Sequence, residues 1–238
     1  MIPMNFKKTA ALAAAALLTC CVLTGCGSDG QSPEHPASTY PGEVQTTTFN
    51  ITEPFQSIRV ECGVSAVRLL PTPGDVAVGC TDLPGLRYSA QVEDGTLVVR
   101  EEGKTTAQGA EILVCLPKPD YEALYISTGS GNVDATAGFR FTDVTLTSDA
   151  GNLYLEQLLA SGSMELNTGS GNVTLTGCDA ASLTVNTGSG NVTGTLLTDK
   201  TFKVTSGSGN VNVPDTTGGD CVVTTGSGNV SLSIGGGV

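Results

Sequence analysis

Six asparagines divide this chain at nearly even intervals. Asn132, Asn152, Asn172, Asn191, Asn210 and Asn229 follow one another at steps of 20, 20, 19, 19 and 19 residues. Each closes the same short phrase: TGSGN from Thr128, Thr168, Thr187 and Thr225, SGSGN from Ser206, and a frayed SDAGN from Ser148. A fixed period near 20 marks a repeat architecture, in which one small unit stacks on the next.

Aligning the copies on their asparagines leaves four apolar columns. Before the turn run Leu124, Val144, Met164, Leu183, Phe202, Cys221 and, two residues later, Ile126, Leu146, Leu166, Val185, Val204, Val223. After it run Val133, Leu153, Val173, Val192, Val211, Val230 and then Ala135, Leu155, Leu175, Gly194, Val213, Leu232. Spacing of two on both sides of a glycine-rich bend predicts two strands per copy, each with one face inward. The expected fold is all-β: a parallel β-solenoid of about 19–20 residues and two strands per coil. Four apolar side chains cannot offset the entropy of ordering some twenty residues, so a lone coil has no stability. Stacked in chain order, the coils share backbone hydrogen bonds and apolar faces.

The repeated phrase reads as a corner. With 31 glycines in 238 residues and no every-third spacing, the glycines mark turns at fixed intervals. The six asparagines would form a ladder of side-chain amide hydrogen bonds at a buried corner. Ion binding would call for aspartates in a nine-residue period, and phosphate binding for a lysine followed by a helix; the phrase has neither.

Thr46 to Pro119 is strand-rich but irregular, with TTTFNI, SIRVEC, DVAVGC and AEILVCLPKP, and Asp94-Gly95 is a strong hairpin signal. VSAVRL, from Val64, reads as a worn copy with Val67 and Leu69 inward. This half is expected to form modified first layers that cap the stack; an independent small β-sandwich is the alternative. The free edge at the other end is expected in SLSIGGGV, whose glycines would blunt it.

The first 25 residues pair Lys7 and Lys8 with an apolar run of about 14 residues, a signal-peptide shape too short to span a bilayer. Leu23-Thr24-Gly25-Cys26 resembles the lipobox of bacterial lipoproteins, which implies cleavage after Gly25 and a lipid on Cys26; an ordinary cleaved signal is the alternative. The expected organisation is a signal peptide over 1–25, an anchor and polar tether over 26–45, the irregular β half over 46–120 and the repeats over 121–238. The protein would then sit on the outer face of the cell membrane, held by lipid on Cys26. Lipobox, DGTL hairpin, Leu116-Pro117 and SGSGNV repeats together resemble the bacterial DUF4097 family over about residues 46 to 238. The resemblance implies a β-solenoid at the cell envelope, with adhesion as the family's label and no catalytic residues to carry over.

Without residues 1–25 the chain has nine basic residues against 23 acidic ones, a net charge of about −14, which argues against nucleic acid as a partner. The single histidine, His35, lies in the tether, so histidine-dependent catalysis and histidine metal sites are excluded from the folded part. Asp134, Asp143, Asp149, Glu165, Asp179, Asp199 and Asp215 are the outward carboxylates of the repeats. They occupy different coil positions, which argues against a carbohydrate-active enzyme. Five cysteines lie beyond Cys26: Cys62, Cys80, Cys115, Cys178 and Cys221. Cys62 and Cys80 end similar strand-like runs, which allows a disulfide; buried thiols are the alternative. No cofactor and no metal site is expected. The function expected is binding of a glycan or an envelope protein along an outward face, the alternative being a structural or sensory envelope protein docked to a membrane partner.

Overall fold

The structure, a computed structural model, describes residues 45–117, 119–136 and 138–235. The signal-like segment, Cys26, the tether with His35 and residues 236–238 lie outside that set. Every regular element among the described residues is a strand. The N-terminal half holds β1 (Thr46–Ile51), β2 (Ser57–Cys62), β3 (Ala66–Pro71), β4 (Val76–Thr81), β5 (Leu86–Glu93), β6 (Thr96–Gly103) and β7 (Glu111–Leu116). The repeats hold β8 (Asp120–Thr128), β9 (Val133–Ala135), β10 (Arg140–Ser148), β11 (Leu153–Glu156), β12 (Leu159–Thr168) and β13 (Val173–Thr187). They continue with β14 (Val192–Leu196), β15 (Lys200–Ser206), β16 (Val211–Asn212), β17 (Gly219–Thr225) and β18 (Val230–Ile234).

The strands pair in two arrays of mixed orientation. The first has the order β5-β6-β2-β8-β10-β12-β13-β17-β15. The second has the order β1-β4-β7-β3-β9-β11-β13-β14-β18-β16. Because β13 runs from one array into the other, all eighteen strands belong to one hydrogen-bonded network. Among the described residues β5–β6, β1–β4 and β4–β7 pair antiparallel and the other pairs are parallel. Asp94 and Gly95, both at positive φ, make the tight turn between β5 and β6.

Parallel pairing in register stacks the predicted columns: Leu124 lies beside Val144, Val144 beside Met164, Met164 beside Leu183 and Leu183 beside Cys221. Nearly all of these side chains are fully buried, as are Val67 and Leu69 of the worn copy. That copy, β2 and β3, pairs directly with β8 and β9, so the N-terminal half continues the repeat arrays without a break.

The stacking order departs from chain order. β17 and β18 lie between β13–β14 and the earlier copy β15–β16, so SLSI is interior and Lys200–Asn212 is the free edge. The physical reason lies in the edge copy itself. Pro214, just beyond β16, has no N–H to give a ladder, β16 is only two residues long, and β15 carries two lysines; all three features are tolerated at an edge and costly inside a sheet.

Candidate binding surface

The corner phrase is a hydrogen-bonded column with two components, one buried and one exposed. The buried component is the hydroxyl of its first residue. Thr168 Oγ1 accepts the N–H of Gly171 at 3.0 Å and donates to Gly151 O of the neighbouring copy at 3.0 Å. Thr128, Ser148, Thr187, Thr225 and Ser206 repeat this arrangement, in the stacking order given above. The hydroxyl role was not read from the sequence, although the alternation of Thr and Ser at one position, with no other residue type, was a usable signal.

The asparagines form the second component, and they are exposed or half-exposed rather than buried. Each Oδ1 accepts the backbone N–H of the next asparagine, as from Asn152 to Asn132 (2.9 Å), Asn172 to Asn152 (2.8 Å) and Asn191 to Asn172 (2.9 Å). Amide-to-amide contacts of 3.2–3.3 Å accompany these three. The series ends Asn191, Asn229, Asn210, which again records the exchanged order. Thr168→Val strands a buried N–H and a buried carbonyl, and the expected loss is about 1–3 kcal/mol. Asn172→Ala leaves its neighbour's N–H to water and is expected to lose about 1 kcal/mol or less. Urea unfolding of the two variants measures the difference.

Glycine is required at the fourth corner position by close approach. A Cβ on Gly131, Gly151, Gly171 or Gly190 would overlap the backbone carbonyl oxygen of the adjacent copy, and none of these residues has positive φ. In the first copy Cys62 replaces the threonine. There the Glu101 carboxylate accepts the N–H groups of Gly63, Val64 and Ser65 at 3.0–3.1 Å and closes that end of the corner column.

The outward face of the first array presents two rows beside these corners. One runs Tyr125, Thr145, Glu165, Thr184, Val222, Lys203; the other runs Ser127, Thr147, Asn167, Asn186, Thr224, Thr205. Arg59 lies 4.6 Å over the Tyr125 ring. Asn186 donates to Asn167 at 2.9 Å, and Asn167 donates to Glu165 at 2.9 Å, so the two asparagines of the second row are tied to each other and to the first row. A shallow depression of about 370 Å³ follows it, lined by Thr147, Asp149, Asn167, Gly169, Asn186 and Gly188.

On the return side of the repeats lies a larger groove of about 780 Å³, whose walls include Arg140, Phe141, Leu159, Asp179, Thr198 and Lys200. Lys200 is only 2% exposed. Its Nζ reaches across the inserted copy, past Gly219, to the Asp179 carboxylate (2.6 Å), Ala180 O (2.6 Å) and Thr198 Oγ1 (2.9 Å). The lysine therefore fastens the edge copy to the copy two places in.

The predicted carboxylates have separate partners. Asp143 accepts from the Ser163 hydroxyl and N–H, which lower its pKa; Asp134 faces Arg68 at 3.5 Å; Asp179 holds Lys200. Asp149, Glu165, Asp199 and Asp215 are exposed on different strands or turns. Among the described residues no group of three or more His, Cys, Asp or Glu could hold a metal.

Cys62 and Cys80 are thiols, not a disulfide. Cys62 takes the threonine position of its corner, with Sγ 3.5 Å from Ser65 O, while Cys80 is buried on β4 against β1 and β7. Burial, with Asp82 and Glu101 nearby, pushes Cys80 up to about 12, and burial pushes Cys221 up to about 11. A thiol pKa raised on folding contributes stability below the unfolded value near 9, and that contribution is lost as pH climbs through 11–12. An alkylating probe at pH 8 should leave Cys80, Cys178 and Cys221 unmodified until the chain is unfolded, and mass spectrometry before and after denaturation reads this directly.

The model of a known family, Toastrack DUF4097, matches residues 74–236, from just before β4 to the last strand. The chain belongs to the DUF4097 family. No curated protein matches this DUF4097 chain. Among solved structures it is similar to a candidate cell adhesion protein of Clostridium sporogenes, at 13% identity and a TM-score of 0.51, with 81% of this chain and all of that one covered. A candidate adhesin of Bacteroides fragilis matches at 13% identity and a TM-score of 0.49, over 80% of this chain and 97% of that one. A candidate lipid binding protein of Parabacteroides distasonis matches at 14% identity and a TM-score of 0.33, over 82% and 98%. At these identities the first likeness establishes the all-β fold of the DUF4097 chain and leaves its ligand to the site.

Proposed function

We propose that this chain is a non-catalytic, adhesin-like binding module of the cell envelope, whose ligand, a glycan or an envelope protein, lies along the outward face of the first array. The observation that carries the reading is the row Thr147, Asn167, Asn186, Thr224. Small hydroxyl and amide groups stand on successive strands, partly fixed by their own hydrogen bonds, so little side-chain entropy is lost when a polar polymer lies across them. The arrays are read as a parallel β-solenoid, which the in-register parallel pairing at a spacing of 19–20 residues supports. Lipid on Cys26 would hold the module on the outer face of the membrane, with the polar tether as spacer.

Glycan and envelope-protein arrays probed with the chain test the reading. Binding that survives in the native chain and falls at least tenfold in Thr147→Lys and Asn186→Lys, with unchanged melting, is the expected result. Binding untouched by both substitutions, or no binding at all, overturns it. Incorporation of a labelled fatty acid that disappears in Cys26→Ala is expected for the anchor, and label retained in that variant refutes it.

A further inference from the structure

We infer that two copies of the chain dock end to end through the edge strands β15 and β16, related by a twofold axis. The two ends of the arrays differ. At the N-terminal end β5 and β1 run antiparallel to the strands beneath them, and Glu101 occupies the corner N–H groups that another copy would need. At the β15–β16 end the inward columns are uncovered. Val211 is 46% exposed and Phe202, Val204 and Val213 are partly exposed, whereas the apolar residues of these columns in the other copies are buried. Among the described residues nothing donates to Asn210 Oδ1, the last acceptor of the asparagine series.

A stack of repeats normally carries a polar cap at each end, and among the described residues only one end has it. Head-to-tail growth is blocked, because the closed end offers neither a parallel strand nor a free corner. A second copy can still meet the open end by antiparallel pairing of β15 with itself, the isologous contact of a twofold dimer. Centred on Val204, this register sets Val204 against Val204 and Phe202 against Ser206 of the second copy, keeping inward residues inward. It sets Lys203 against Thr205, so no like charges are directly opposed. Pro214 limits pairing beyond Asn212, which leaves β15 to fix the register.

Charge singles out the same end. The chain carries a formal net charge of −12, which opposes association of copies in general. Lys200 and Lys203 are the only lysines of residues 121–238, and both lie on β15. Lys200 is buried on Asp179 and Lys203 lies 3.6 Å from Asp220, so the charges on β15 itself are paired, while the exposed Asp199 and Asp215 stand outside the residues this register opposes. The inference does not depend on what the outward face binds.

A photo-crosslinking side chain placed at Thr205 in the full chain, expressed in cells, tests the contact, with Thr184 on an interior strand as control. The expected product is an adduct of two copies joined within residues 200–213, at least tenfold more abundant from position 205 than from 184, and abolished by Val204→Lys. If Val204→Lys does not fold, the site of crosslinking still decides. No adduct from 205, an adduct with a different protein, or a ladder of higher multiples overturns the inference.

Discussion

Gly171→Ala lowers the stability of the chain by more than about 3 kcal/mol, the range of substitutions that force backbone apart inside a packed array. The added Cβ would overlap the carbonyl oxygen of Gly151, a backbone atom fixed in a ladder, and would also crowd Thr168 Oγ1. Neither can move without breaking the hydroxyl column that Thr168 makes with Gly171 and Gly151. The neighbouring Ser170 is exposed, and Ser170→Ala is expected to stay within about 0.5 kcal/mol. Denaturant unfolding of the pair separates a demand for close approach from a general intolerance of change at the corner. Equal effects would remove the stacked corner as the reason for the glycine.

Lys200→Met is the second large expected effect, a loss of about 2–3 kcal/mol. Removing one member of a buried ion pair typically costs about 3–5 kcal/mol, and the Asp179 side chain, at 19% exposure, regains part of its hydration. Ala180 O and Thr198 Oγ1 lose their donor as well. The effect should be local first. Lys200 ties the edge copy across β17 to β13, so amide exchange should speed up in β15 and β16 while β10 and β12 keep their protection. Acceleration spread evenly over all the copies would mean that Lys200 supports the whole stack rather than its last member.

Both effects depend on contacts that a one-dimensional reading predicts unequally. The requirement for glycine at the fourth corner position follows from the repeat itself, since only close stacking asks for the same small residue at every copy. Lys200 could not be found in this way. It stands just before Thr201 and Phe202 in the edge copy, and its partners, Asp179 and Ala180, lie two copies away, reached only because Gly219 of the inserted copy leaves room for the side chain to pass. The spacing of the asparagines suggests a ladder, but their exposure and their chief partner, a backbone N–H, depend on how the corner turns in space. Cys62 and Cys80 looked alike in sequence because both end apolar runs. Cys62 belongs to a corner and Cys80 to the interior of an antiparallel strand, which no spacing rule distinguishes.

By itself the sequence determined the repeat length, the two strands per copy, the inward columns and the hairpin at Asp94-Gly95. Each of these is a local demand: a side-chain period of two, a turn needing positive φ, a small residue where backbones meet. Only the tertiary structure decided the order of the last two copies. Both have the columns to fill the interior place. The choice falls on the copy whose proline, short second strand and lysines cost least at an edge, and that comparison between distant segments is settled by packing.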